Sequence, residues 1–177
     1  EEDMYEAFRE QAVALERGGA DAACVETMSD IREAVLAMRA VKENTSLDIV
    51  STFTFEKSVQ GEYRTMMGVA PADAARAALD AGAAVIGSNC GNGIAGMVEI
   101  VSGLRESYPE APILIHANAG IPRTEGDRTI FPETPVEMGR QVPALLDAGA
   151  SIIGGCCGTG PDHIRAVRAA VDSWCAG

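Results

Sequence analysis

Basic residues are few in this sequence. Lys and Arg number 14 against 26 Asp and Glu, so 177 residues carry a formal net charge of −12. Nucleic acids and anionic membranes both reward basic patches, which makes either a poor partner for this chain. No apolar run approaches the roughly 18–20 residues that span a bilayer. The first ten residues, EEDMYEAFRE, are acidic and lack the apolar stretch of a secretory signal. There is no initiator Met, so the sequence is expected to begin inside a longer polypeptide. An even, regularly spaced cysteine framework is also missing: five cysteines stand at 24, 90, 156, 157 and 175, two of them adjacent. A reduced, cytoplasmic compartment fits this usage, and there clustered cysteine points to metal or catalysis. No GxGxxG follows the first expected strand, which weakens a dinucleotide-binding reading. No Ser-His-Asp or Cys-His arrangement is evident.

What is present is an ordinary globular composition, 47% hydrophobic and 23% charged, and a length that fits a single domain over 1–177. Helix-like and strand-like segments alternate throughout. Helices are expected at 3–18, at 30–44 with Asp30 as N-cap, from Pro71 to Ala81, at 94–107, from Thr134 onward and at 161–174. Pro143 should kink the fifth of these or shift its start. Strands are expected at 20–26, 47–55, 83–89, 111–118 and 150–155. They read as continuous apolar runs, the mark of parallel strands buried on both faces. The phrases GGADAACVE, DAGAAVIGSN and DAGASIIGG recur, each a helix ending in Gly with a strand close behind. The strand centres fall about 32 residues apart, and eight such units would make the roughly 250 residues of a (β/α)8 barrel. The chain is therefore α/β, either an open doubly wound sheet or about five units of a TIM barrel. The second would need a partner for its bare strand edges, whether the missing units or another copy.

In both architectures function collects at the C-terminal ends of the strands. There this sequence places Glu26, Asn89 with Cys90, Asn118, and Cys156 with Cys157. Three thiolates at one rim suit zinc, which prefers tetrahedral sulfur and nitrogen ligands and in catalytic sites keeps one position open. Adjacent residues on a strand point to opposite faces, so the vicinal pair needs a sharp turn, which Gly154, Gly155 and Gly158 permit. An inert buried cluster and a redox-active vicinal pair are the alternatives. The Gly-rich stretch GGCCGTGPDHI could instead cradle a phosphate, although it lacks the Lys-Ser/Thr pair of a P-loop. Glu26 ends an apolar strand, where a buried carboxylate should meet a cation, from substrate or from a salt bridge. Asn89 and Asn118 could orient substrate or simply bond to their loops. His116 and His163 read as structural, and Cys24 and Cys175 lie away from the rim.

GSNCGNG at 87–93 together with GGCCGT at 154–159 resembles the homocysteine S-methyltransferase family. HANAGIP at 116–122 and Glu26-Thr27 fit the same family, and the resemblance runs from end to end. It covers the fourth through eighth β/α units of the family's zinc barrel. The first three units, with the family's remaining amino-acid contacts, lie outside this sequence. Residues 53–69 are more similar to the corrinoid-linked branch than to the betaine branch. The resemblance implies Zn2+ on Cys90, Cys156 and Cys157, Glu26 against the amino group of homocysteine, and Asn89 and Asn118 supporting the pocket. It implies methyl transfer to the homocysteine thiol to form methionine. The donor would be methylcobalamin or another corrinoid on a separate domain or protein, a sulfonium compound or a betaine.

The chemistry agrees with that implication. A free thiol, with a pKa about 8.5, is mostly protonated at neutral pH, and zinc coordination removes its proton. Three thiolates on Zn2+ sum to −1, and a substrate thiolate makes −2, so electron density stays on sulfur. Neutral His ligands would leave a more Lewis-acidic metal, better suited to activating water. Two other readings remain at this point: a non-catalytic, incomplete zinc-binding fragment, and a phosphate-binding barrel enzyme.

Overall fold

The structure, a computed structural model, describes residues 1–177. Its main sheet has five strands in the order β1 (Ala22–Met28), β2 (Asp48–Phe53), β5 (Val85–Asn89), β6 (Ile113–Ala117) and β9 (Ile152–Gly155), with helices between them in sequence. Within β5 (Val85–Asn89) the chain divides into two compact units, Glu1–Gly87 and Ser88–Gly177.

The first unit opens with α1 (Glu2–Arg17), followed by β1 (Ala22–Met28) and α2 (Ile31–Asn44). The Asp30 carboxylate caps α2 by accepting from Arg32 N at 2.7 Å, as the sequence predicts. The helix buries Ala34, Ala37, Met38, Ala40 and Val41 on one side, the helical period expressed as a packed face. β2 (Asp48–Phe53) pairs in parallel with β1, from Ala22 opposite Asp48 to Val25 opposite Ser51. The register shifts before Met28, beside Thr27, whose φ of 61° is left-handed. A short hairpin, β3 (Glu56–Lys57) and β4 (Tyr63–Arg64), precedes α3 (Pro71–Ala81).

The second unit takes the end of β5 and continues through α4 (Ile94–Ser107) and β6 (Ile113–Ala117). A second hairpin follows, β7 (Arg123–Glu125) with β8 (Arg128–Ile130), then α5 (Pro135–Asp147), β9 (Ile152–Gly155) and α6 (Pro161–Cys175). β6 and β9 are parallel, with Leu114 opposite Ile152 and Ala117 opposite Gly155. Ile94, Met97, Ile100, Val101, Leu104, Ile113, Ile115, Met138, Val142 and Leu145 are all essentially solvent-free and form this unit's aliphatic core.

Three expectations are modified. Burial on both faces holds for the inner strands β5 and β6, whereas β1 exposes Ala22, Cys24 and Glu26 and β9 exposes Ile152. β1 and β9 end the strand order, so each has a neighbour on one side only. Pro143 does not move the start of α5. The helix begins at Pro135 behind a capping box in which Thr134 and Glu137 satisfy each other's backbone N–H, and it runs through to Asp147. Burial of Met138, Val142 and Leu145 on both sides of the proline holds it helical. The hairpins at 56–64 and 123–130 lie in stretches the sequence presents as loops. Strands of two or three residues are too short to carry a period-2 signal.

Replacing a capping oxygen should cost about 1 kcal/mol. Thr134→Ala and Asp30→Ala are each expected to lower the urea midpoint by that equivalent with the denaturant slope unchanged. A midpoint equal to that of the parent protein would show that the caps do not hold these helix starts.

Candidate metal centre

Both cysteine-bearing strand ends are bonded to the end of β6. Cys90, the residue after β5, donates its N–H to the His116 carbonyl at 3.1 Å. Cys156, the residue after β9, donates to the Ala117 carbonyl at 2.8 Å. Cys157 N–H reaches the Asn118 side-chain Oδ1 at 3.1 Å, and the Cys157 carbonyl accepts from Ala119 N at 2.9 Å. The three loops are thus tied to one another residue by residue.

Each loop then turns sharply. Cys90 has φ 60°, a left-handed conformation that costs a non-glycine residue roughly 1–2 kcal/mol. Its carbonyl accepts from Asn92 N at 2.8 Å and closes a tight turn. After β9 the Cys156 carbonyl accepts from both Thr159 N and Thr159 Oγ1, at 3.2 and 2.7 Å. Gly158 completes that turn at φ 80°, with the Phe131 side chain lying where any Cβ would stand. This turn resolves the vicinal-pair problem, because it brings neighbouring thiols toward one point instead of opposite faces.

The result is a triangle of sulfurs. Cys90 Sγ and Cys157 Sγ are 3.7 Å apart, Cys156 Sγ and Cys157 Sγ 4.0 Å, and all three lie within 4.8 Å of one another. Four ligands at the zinc–sulfur distance of about 2.3 Å sit about 3.8 Å from each other in a tetrahedron. The donor set and its spacing therefore fit a zinc ion with one vertex left for another ligand. Cys156 is half-buried and receives the Asn89 side-chain N–H at 3.9 Å, from an asparagine with no solvent exposure.

The surroundings of Cys157 favour its protonated form. The Cys157 thiol is pushed up to about 11. Hydrogen bonding to Cys90 is the largest cause, followed by desolvation and the neighbouring thiols. Clustering acidic groups penalises each added negative charge, and a divalent cation is what lifts that penalty.

Five of the six site residues singled out from the sequence, Asn89, Cys90, Asn118, Cys156 and Cys157, lie in the second unit around this triangle. Glu26 lies in the first. Its expected burial is corrected: it is exposed, in the alternating row of β1 side chains with Ala22 and Cys24 that no packed layer of side chains covers. It lines a groove of about 270 Å3 with Phe8, Leu15, Cys24 and Val41. Desolvation, and after it the Glu26 charge, pushes the Cys24 thiol up to about 11. Cys175 is exposed at the end of α6. The phosphate reading of the Gly-rich loop loses its donors, since Cys157, Thr159 and Gly160 all spend their N–H groups within the chain. His163, taken as structural in the sequence, bonds Gly160 of this loop through Nδ1 and the Glu133 carbonyl through Nε2. No helix is long and apolar enough to cross a membrane.

Comparison with known proteins follows the same lines. The model of the family described as homocysteine S-methyltransferase matches residues 1–171. Methionine synthases of Mycobacterium leprae and Mycobacterium tuberculosis are 34% and 33% identical over 95% of this chain, which spans 14% of their length. Among solved structures, the homocysteine methyltransferase MmuM of Escherichia coli aligns with a TM-score of 0.71 at 21% identity, over 94% of this chain and 57% of that one. Dihydrodipicolinate synthase of Acinetobacter baumannii aligns with a TM-score of 0.61 at 15% identity, over 96% and 54%. At such identities the likeness shows the fold: an α/β chain with the architecture of part of a barrel.

Two outcomes are expected of the metal-free, reduced protein. The raised Cys157 and Cys24 thiols hold protons more tightly than the usual thiol value of 9.0 allows an unfolded chain to do. Stability present below about pH 9 is therefore lost as pH rises toward 11. Thermal melts across that window should show the fall, and show less of it in Cys157→Ser; a flat profile would contradict the proton-sharing cluster. The left-handed backbone at Cys90 implies that Cys90→Gly is more stable than Cys90→Ala by about 1 kcal/mol. Equal urea midpoints for the two would remove the strain.

Proposed function

The chain belongs to the homocysteine S-methyltransferase family, and on that premise we propose that it holds Zn2+ on Cys90, Cys156 and Cys157 and methylates the thiol of homocysteine. The observation that carries the proposal is the sulfur triangle, whose edges of 3.7 and 4.0 Å suit one tetrahedral ion with a free vertex. Bound there, zinc would supply the charge that turns an incoming thiol into a thiolate while leaving its sulfur electron-rich.

The residues of the chain have separable parts. The three cysteines lose their protons on loading and contribute three negative charges, one more than the ion neutralises. Asn89 donates to Cys156 Sγ and damps the charge on that sulfur without removing it. Asn118 holds the Cys157 backbone through its Oδ1, which fixes where that thiolate points. Asn89 and Asn118 are nearly or wholly solvent-free, so both act from beneath the sulfurs. Glu26, exposed on β1, is the residue the family resemblance assigns to the substrate ammonium group. In the transfer itself the substrate sulfur forms a bond to the methyl carbon. The methyl–donor bond breaks with its electron pair staying on the donor, and methionine results. The donor is a corrinoid, a sulfonium compound or a betaine.

A second reading is a metal-binding portion that is inactive by itself. It is supported by coverage, since the chain spans 57% of the MmuM chain, and by the exposed alternate residues of β1. Adding the remaining β/α units in trans separates it from the first.

Elemental analysis of the purified, reduced protein should find about one zinc per chain, and Cys90→Ser should reduce this to background. Loading should release about three protons per zinc near neutral pH, and adding homocysteine about one more. Metal-free protein that is folded, reduced and indifferent to added zinc would sink the assignment.

A further inference from the structure

His163 and Glu133 are not ligands, yet their hydrogen bonds join two of the loops that bear the site residues, and the Glu133 side chain packs against the third. The His163 Nδ1 accepts from Gly160 N at 3.1 Å, capping α6 three residues after Cys157. A nitrogen that accepts an N–H carries no proton, so Nε2 bears it and donates to the Glu133 carbonyl at 3.0 Å. Glu133 in turn donates its own N–H to the Ala119 carbonyl at 3.0 Å, and Ala119 N donates to the Cys157 carbonyl. With the chain from 157 to 163 these bonds close a ring that begins and ends on Cys157; the Nε2 bond closes it, and the Nδ1 bond fixes the tautomer that lets Nε2 donate.

The Glu133 side chain extends the same tie to the Cys90 loop. Its Cγ packs on Gly120, where an added Cβ would come within 2.9 Å. Its Oε1 lies 3.3 Å from where a Cβ on Gly93 would stand, at the N-cap of α4. α4 has no acidic residue in its first turn and no side-chain cap of its own, so this carboxylate from a distant loop meets the positive end of the helix. Gln141 Nε2 holds the other oxygen at 3.1 Å.

We propose that His163, with Glu133, is a positioning clasp that sets the spacing of the three thiols, so that breaking it loosens metal binding without unfolding the protein. The proposal rests on the three-thiolate reading above. Two substitutions separate the clasp from the helix cap. His163→Ala removes both bonds. His163→Glu keeps an acceptor for Gly160 N, since Glu at this third helical position is a natural capping partner, but it cannot donate to the Glu133 carbonyl. Its added negative charge would favour a bound cation, so any loss of affinity cannot be charge.

The experiment is competition for zinc against a chromophoric chelator, on the purified protein, with melting curves alongside and the cobalt–thiolate charge-transfer band as a second readout. His163→Glu is expected to stay folded, to lose about tenfold in zinc affinity and to show an altered cobalt band. His163→Ala should lose at least as much. Trp174→Phe, which cuts the bond to Asp147 at the far end of α6, should leave affinity unchanged. Wild-type affinity in His163→Glu, an equal loss in Trp174→Phe, or unfolding of both His163 variants would each overturn the clasp. A wild-type protein that takes up no metal would instead overturn the zinc reading itself.

Discussion

Strand β6 is the common template for the site, and the thiol geometry depends on it. Neighbouring strands in a sheet stand about 4.8 Å apart, so two strands flanking a third are separated by about 10 Å. β5 and β9 flank β6 in this way, and each carries cysteine at its end. Sulfurs about 3.8 Å apart are reached only if both ends turn inward over β6. The bonds of Cys90 to His116, Cys156 to Ala117 and Cys157 to Asn118 fix the heights of those ends. The left-handed Cys90 and the turn at Gly158 supply the inward bend. Strain at Cys90 is thus part of the site's construction, held by the hydrogen bonds around it.

Chemistry follows from what this arrangement does to charge. Hydrogen bonding to Cys90, with desolvation and the neighbouring thiols, holds the Cys157 thiol protonated to about 11. A cation reverses the balance. With Zn2+ bound as proposed, the centre would be electron-rich, since three thiolates more than offset a double positive charge. Such a centre suits alkyl transfer to sulfur better than activation of water. Asn89 donates to a sulfur and Asn118 grips a backbone N–H, the parts that outer residues would play in the proposed metal site.

Much of this was legible before the fold was seen. The alternation of helix and strand, the caps at Asp30 and Thr134 and the placing of Cys90 and Cys156-Cys157 at strand ends all follow from local patterns, which carry their own physical causes. The α/β architecture and the family likewise agree with the comparisons. The exposure of Glu26 was not legible, because an apolar strand reads as buried whether or not a neighbour is there to bury it. The two hairpins were hidden by their brevity. The part of His163 was hidden for a different reason: its partners are a backbone N–H three residues away and a carbonyl thirty residues away, and no side-chain pattern encodes a bond to backbone.

Zinc-edge X-ray absorption on the loaded protein, with and without homocysteine, tests the central claim most directly. The account predicts three sulfurs at about 2.3 Å and one lighter ligand, becoming four sulfurs when homocysteine is added. A nitrogen- or oxygen-dominated shell, or a sulfur count that homocysteine leaves unchanged, would contradict a three-thiolate centre that captures the substrate through its fourth position.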